Sequence, residues 1–245
     1  MEERLRELLT DFLHQSSVRK LAKTAANKGS SSITLEFRQL LEYDIELAKF
    51  LLDKPEEFLR AADEELTSLV GSTMRLRISN LGDENTVSIR DLRESHLGKF
   101  IQIEGIIAQA SPVRPEICVA VYRCKWCGEL QEVEQTGEFI EKPLMCLNPE
   151  CSKRTAREFE LVEEKSKFRD WQALVIQEKP EDLRSGRMPR RLDCIVRDDL
   201  VERAVPGNRV RVTGYMKPIP EGRGKKFPRT FRKIFFINHL EVIEK

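Results

Sequence analysis

Four cysteines carry the most specific chemistry in this 245-residue chain. Two residues separate Cys124 from Cys127, four separate Cys146 from Cys151, and 18 lie between the pairs. A two-residue gap lets both sulfurs of the first pair face one metal at about 2.3 Å. Turn residues accompany both pairs, with Gly128 after the first and Asn148-Pro149 inside the second. The pattern is that of a zinc ribbon holding one structural Zn2+. Free or disulfide-bonded thiols are the weaker reading, because the pairing is metal-like and cytosolic thiols stay reduced. A catalytic zinc would need an open coordination position and a nearby base, whereas four thiolates close the tetrahedron and no H-x-E element accompanies them. Cys118 and Cys194 sit in apolar, strand-like contexts and are expected to be small core residues. His14, His96 and His239 are isolated and read as structural.

A second chemistry lies between Tyr215 and Ile234, where KPIPEGRGKKFPRTFRK has strand candidates on both sides. It reads as a long β-hairpin over about 215–234, with Gly222 and Gly224 at a tip that displays Arg223, Lys225 and Lys226. Lys217, Arg229, Arg232 and Lys233 line its arms. Seven bases against the single acid Glu221 suit a phosphate backbone, whose affinity comes from counterion release rather than base reading. The plainer alternative is a solvated loop that protects an edge strand. Phe227 and Phe231 fit stacking on bases and packing beneath the hairpin equally well.

Both features need elements to hold them. Leu5, Leu8, Leu9, Phe12 and Leu13 make the stripe of a buried helical face. After the loop-like stretch 28–32, Ile33, Leu35 and Phe37 alternate as a short strand. Leu47, Phe50 and Leu51 form another helical stripe, and Pro55 opens a helix through Leu69 with Gly71 as its C-cap. From Met74 the period changes to two, at Leu76 and Ile78 and again from Phe100 to Ile106. Leu192–Val196, Arg209–Tyr215 and Arg232–Ile243 are further strand candidates, the second following the turn Pro206-Gly207-Asn208. Short strands at this spacing predict a small antiparallel barrel of OB type, interrupted by the cysteine-bearing stretch.

Composition agrees with a folded chain. With 40% hydrophobic and 34% charged residues it is neither disordered nor membranous, and no apolar run approaches the roughly 20 residues that span a bilayer. The N-terminal MEERLRELLTDFLH lacks the features of a signal peptide, so the cytoplasm is the expected compartment. The net charge of +1 hides a gradient. Residues 1–70 hold 14 acids and 10 bases, whereas Arg209–Ile234 hold nine bases and one acid.

The order of elements resembles the N-terminal region of archaeal minichromosome maintenance (MCM) replicative DNA helicases over essentially the whole chain. The most distinctive run is DWQALVIQEKPEDL from Asp170 to Leu183, followed by GRMPRRL from Gly186, DDLV from Asp198 and PGNRVRVTG from Pro206. The resemblance implies a multidomain α+β fold: an N-terminal helical bundle, then an OB-fold β-barrel with an inserted zinc-ribbon-like subdomain and a long β-hairpin. The corresponding boundaries are 1–72 for the helical domain, 73–117 and 161–245 for the two parts of the OB-fold, and 118–160 for the zinc-binding subdomain. It implies a homo-hexameric ring whose basic hairpin points into a channel holding single-stranded or duplex DNA, and zinc subdomains able to join two rings. The hairpin tip then falls on Arg223, Lys225 and Lys226, with further DNA contacts on Arg114, Arg190 and Arg191. Gln177 and Glu178 begin a loop that resembles the segment carrying signals between the N-terminal tier and the motor. An archaeal, nucleoid-associated location follows.

No G-x-x-x-x-G-K-[ST] phosphate loop, acidic magnesium motif or arginine finger occurs in the sequence. The expectation is therefore a non-catalytic fragment of a longer helicase, ATP and Mg2+ belonging only to the full-length protein and its C-terminal ATPase domain. The alternative is a stand-alone zinc-ribbon/OB adaptor binding RNA or an acidic protein. A zinc hydrolase or deaminase is a third hypothesis, which predicts that metal removal abolishes turnover while leaving the fold intact.

Overall fold

The computed structural model describes residues 3–137, 139–182, 187–220 and 229–244. The chain divides into two compact units, Met1–Val113 with Gln172–Lys245, and Arg114–Trp171.

The first unit opens with helices α1 (Glu3–His14) and α2 (Ser16–Asn27), strand β1 (Ser32–Glu36), helices α3 (Phe37–Tyr43), α4 (Ile45–Asp53) and α5 (Pro55–Val70), and strand β2 (Arg75–Ser79). Leu9, Phe12 and Leu13 of the first stripe are buried, as the helical period requires. Asp44 caps α4, its Oδ1 accepting from the Leu47 amide at 2.8 Å. Pro55 stands in the first turn of α5, and Gly71 ends that helix in the left-handed conformation. β1 and β2 pair in parallel, from Ser32↔Arg75 to Glu36↔Ser79. Leu76 and Ile78, whose period of two points to the next layer, thereby join the helical core beside Leu13, Leu47 and Leu66. Phe37, expected in the strand, instead begins α3, because Gln39 Oε1 accepts the Glu36 amide at 2.9 Å and turns the chain into a helix.

The rest of this unit is an OB-fold-like sheet. Its strands are β3 (Phe100–Ala110), the second half of β7 (Lys167–Gln177), β8 (Arg191–Arg197), β9 (Arg209–Pro220) and β10 (Phe231–Glu244), once β4 (Arg114–Cys124), β5 (Leu130–Glu134) and β6 (Phe159–Leu161) are set aside. The pairing runs β3-β9-β10-β8-β7, and β7 pairs β3 again. Ile103, Ile107, Ile176, Val196, Val212 and Phe235 fill its interior. Where β3 meets β7 the backbones come close. A Cβ on Gly105 would stand 2.5 Å from Ile176 Cγ2 and 2.6 Å from the Gln177 carbonyl oxygen, which is why glycine occupies that position.

In the second unit β4 is the central strand. It pairs the first half of β7 from Arg114↔Trp171 to Val119↔Lys167, β5 from Val119↔Glu134 to Arg123↔Leu130, and β6 from Tyr122↔Leu161 to Cys124↔Phe159. This ladder carries the unit beyond residues 118–160 on both sides, to Arg114 and Trp171. Ala120, Tyr122 and Phe159 pack with Cys124, Cys146 and Cys151 into a small core. No helix among the described residues is long and apolar enough to cross a membrane.

Candidate functional site

The four cysteines converge. Cys124 ends β4, and the chain turns back so that the Gly128 amide donates to the Cys124 carbonyl at 2.9 Å while the Cys124 amide donates to the Glu129 carbonyl at 2.8 Å. Gly128 makes that turn at φ +77°, a left-handed conformation that suits glycine. On the other side the Cys146 amide donates to the Arg154 carbonyl at 2.9 Å, and Arg154 Nε returns a bond to the Cys146 carbonyl at 3.1 Å. Asn148 Oδ1 accepts the Glu150 amide at 2.9 Å, and the Cys151 amide donates to the Asn148 carbonyl at 3.2 Å.

The four sulfurs lie within 4.8 Å of one another. Cys124 and Cys151 are 3.9 Å apart and Cys127 and Cys146 3.5 Å. A tetrahedral tetrathiolate with bonds near 2.3 Å sets sulfurs about 3.8 Å apart, so the donor set fits a zinc ion. The amides of Cys127 and Trp126 lower the Cys124 thiol to about 7, while burial pushes the Cys146 thiol up to about 12. Cys127 alone of the four is exposed, and beside it Lys153 Nζ sits 3.6 Å over the Trp126 ring. Cys118 departs from expectation. It is half-buried and its Sγ donates to the Lys167 carbonyl at 3.3 Å, because β4 gives it no fully enclosed face; Cys194 is buried in the first unit's core.

Two of the three histidines have partners within the fold, and the third is partly withdrawn from water. His14 Nε2 bonds Glu65 at 2.7 Å, His96 Nδ1 accepts the Arg93 amide at 3.0 Å, and burial lowers the pKa of His239.

The basic residues divide between the units. β9 and β10 form two antiparallel arms, in continuous register from Phe231↔Pro220 to Ile237↔Gly214 and shifted by a bulge between Ile237 and His239. The tip residues Arg223, Lys225 and Lys226, with Phe227, lie outside the described residues. Arg229 and Phe231 are exposed at the start of the second arm. Lys217 is engaged, its Nζ 2.6 Å from Glu56 at the start of α5. Arg190 and Arg191 are exposed where β8 begins. Arg114, also exposed, opens β4 in the other unit.

Gln177 ends β7 opposite Ile106. Glu178, its neighbour at the start of the expected communicating loop, faces inward at 4% exposure and takes both Arg90 Nε at 2.9 Å and Arg90 Nη2 at 2.8 Å. Arg90 went unnoticed in the sequence, since a partner 88 residues away leaves no local signature. Neighbouring residues are held likewise: Lys179 bonds Glu104 at 3.0 Å, Glu104 also takes Arg211 at 2.8 Å, and Glu181 pairs with Arg209.

Sequence and fold are both similar to those of known proteins. The family model of the MCM N-terminal domain matches residues 2–103, and that of the MCM OB domain matches residues 88–220, more than half of the chain. The chain belongs to the MCM family. Among its relatives, the minichromosome maintenance protein MCM of Saccharolobus solfataricus is 31% identical over 228 residues, 87% of this chain and 33% of that protein. The DNA replication licensing factor mcm6 of Schizosaccharomyces pombe is 37% identical over 150 residues, 61% of this chain and 16% of its own length. The MCM chain therefore spans a third or less of these relatives. Its fold matches the crystal structure of the N-terminal domain of an archaeal MCM with a TM-score of 0.85 at 27% identity, covering 99% of both chains.

Proposed function

We propose that this chain is the non-catalytic, DNA-binding and ring-forming N-terminal tier of an MCM replicative helicase. The observation that carries this reading is the pair of antiparallel arms β9 and β10 of an OB-fold-like sheet, which flank in sequence the segment holding Arg223, Lys225 and Lys226. In this reading the hairpin and its flanking Lys217 and Arg229 neutralise phosphates in a ring channel, and Arg190 and Arg191 add contacts from the root of β8. Arg114 is a further proposed DNA contact. Such contacts give affinity without sequence preference. The ring is a homo-hexamer, and pairs of rings meet through the zinc subdomains.

The tetrathiolate holds one structural Zn2+, whose charge supports thiolates at Cys146 and its partners and whose ligation knits the β4 knuckle to the Cys146–Cys151 turn. It takes no part in bond chemistry. The helical layer, the barrel and the zinc subdomain act as three domains. ATP and Mg2+ act in an ATPase domain of the same protein in an archaeal cytoplasm, and Gln177 and the loop after it contact that domain.

The test is a salt titration of single-stranded DNA binding. Replacing Arg223, Lys225 and Lys226 by alanine should weaken binding and reduce the slope of log K against log salt by roughly 2, at about 0.7 for each phosphate no longer neutralised. Unchanged affinity and slope would overturn the hairpin's role.

A further inference from the structure

We infer that Glu178 is a positioning residue for DNA binding, acting through Arg190 at the opposite end of the 178–190 segment. The inference rests on the proposed contact between DNA and the arginines at the start of β8. Glu178 and Arg190 are bonded twice: the Glu178 amide donates to the Arg190 carbonyl at 3.1 Å, and the Arg190 amide donates to Glu178 Oε2 at 2.8 Å. Arg90 completes the clamp. Its guanidinium takes both carboxylate oxygens in a fork, and its Nη2 reaches the Met188 carbonyl at 3.4 Å. Arg190 Nη1 in turn donates to the Arg90 carbonyl at 3.3 Å.

One carboxylate therefore ties three points: the end of β7, the 3-10 turn Ile89–Asp91 that bears Arg90, and the entry to β8. Glu178 is 4% exposed and has its oxygens filled by Arg90 and the Arg190 amide, whereas Arg190 and Arg191 are exposed. The acid is withdrawn from solvent, whereas both arginines are open to it. A guanidinium held at its root loses less freedom on meeting a phosphate, so affinity depends on the clamp. The ion pairs Lys179–Glu104 and Glu181–Arg209 fasten the next residues to β3 and β9, so the clamp sits on a fixed base.

The sign of the effect separates positioning from charge. Glu178→Gln removes an anion beside a polyanion's proposed site, and electrostatics alone would tighten binding. Positioning predicts the reverse, a loss of about three- to tenfold, comparable to immobilising one arginine side chain.

The experiment measures anisotropy of a fluorescein-labelled oligo(dT) with the parent chain, Glu178→Gln, Arg190→Ala/Arg191→Ala, and the combination, alongside hydrogen exchange at the Arg190 amide. The expected result is weaker binding and faster Arg190 exchange in Glu178→Gln, with little further loss when it is added to the arginine double variant. Equal or tighter binding by Glu178→Gln, or unchanged exchange at Arg190, overturns the inference while leaving the arginine contact intact. Unchanged binding by Arg190→Ala/Arg191→Ala removes the contact itself, and the inference with it. Should Glu178→Gln fail to fold, Arg90→Lys takes its place: it keeps the charge, loses the fork, and is held to the same two outcomes.

Discussion

Arg77 and Asp199 form an ion pair withdrawn from water, with side chains 8% and 17% exposed, although 122 residues separate them. The pair fastens β2 to the turn after β8. Ser32 Oγ donates to Asp199 at 2.8 Å, and Arg77 Nη1 donates to the Asn238 carbonyl at 3.1 Å. Asn238 then serves β2 as a neighbouring strand would, accepting from the Ile78 amide at 2.7 Å and donating to the Leu76 carbonyl at 2.8 Å. Arg77 Nε has no partner among the described residues. Removing one member of such a pair leaves a buried charge, so Asp199→Ala should lower unfolding free energy by about 3–5 kcal/mol in urea titration. Arg77→Met with Asp199→Leu should recover most of it, because the apolar pair carries no desolvation cost. A single-variant loss below about 1 kcal/mol would mean the pair behaves as a surface bridge.

A second carboxylate in the same layer has the opposite pH behaviour. Asp63 accepts from the Leu76 amide at 2.7 Å and from Arg75 at 3.1 Å, but burial outweighs both and raises it from 3.8 to about 6. Its carboxyl holds a proton more tightly folded than unfolded. The stability it contributes is thus fully present below pH 4 and lost as pH rises through about 6, a change on the order of 3 kcal/mol. Burial also acts to raise Asp199, yet Arg77 and Ser32 together hold it below the ordinary value, so its contribution stands above pH 4 and fades in stronger acid. Melting temperatures of the parent and Asp63→Asn across this range should converge or cross as pH rises from 4 to 7. A constant difference between the two would contradict the assignment.

Chelation offers a test confined to one unit. Both tryptophans of the chain, Trp126 and Trp171, belong to Arg114–Trp171, whereas the five α-helices among the described residues belong to the other unit. Removing the metal should shift tryptophan emission toward that of exposed indole and leave the far-UV helical signal largely intact. Cys124→Ser should do the same without chelator, and metal analysis of the parent should return one zinc per chain. Loss of the helical signal in parallel with the tryptophan shift would show that the units unfold together.

What the sequence disclosed follows from the range of the forces involved. The zinc knuckles and the β9 and β10 arms are local: two intervening residues set sulfur geometry, and Val210 and Val212 alternate over one strand. β4 lacks a clean alternation, being half-buried from Glu116 to Val119 before its core residues begin, and β7 alternates only in its second half, where Gln172, a polar residue, takes the first buried position. α2 buries only Val18 and Ala22, too few for a recognisable stripe. β2 does alternate, but its partner is β1 in a parallel pair, and no local pattern distinguishes that from the start of a barrel. Arg77–Asp199 and Arg90–Glu178 are products of tertiary packing. Glu178 is the most instructive position. The family resemblance located it beside Gln177 at the root of a communicating loop, and only its inward orientation reveals which residues it serves.

Lys217 raises a last question of competition. Its Nζ is 2.6 Å from Glu56 and 5.7 Å from the centre of the Phe236 ring, with the lysine side chain 35% and the glutamate 55% exposed. So exposed a pair adds under about 1 kcal/mol to stability, which leaves the lysine available to a stronger anion. A phosphate must nevertheless displace Glu56 first. Glu56→Gln should therefore tighten single-stranded DNA binding and steepen its salt dependence by up to about 0.7, the increment for one more neutralised phosphate. Asp53→Asn supplies the control for net charge, since Asp53 pairs with Lys99 at 2.8 Å and similar exposure but outside the hairpin arms. If both variants raise affinity equally with no change of slope, the gain is a general charge effect and Lys217 makes no contact. A steeper slope in Glu56→Gln alone places the lysine on the phosphate, with the first turn of α5 as its competitor.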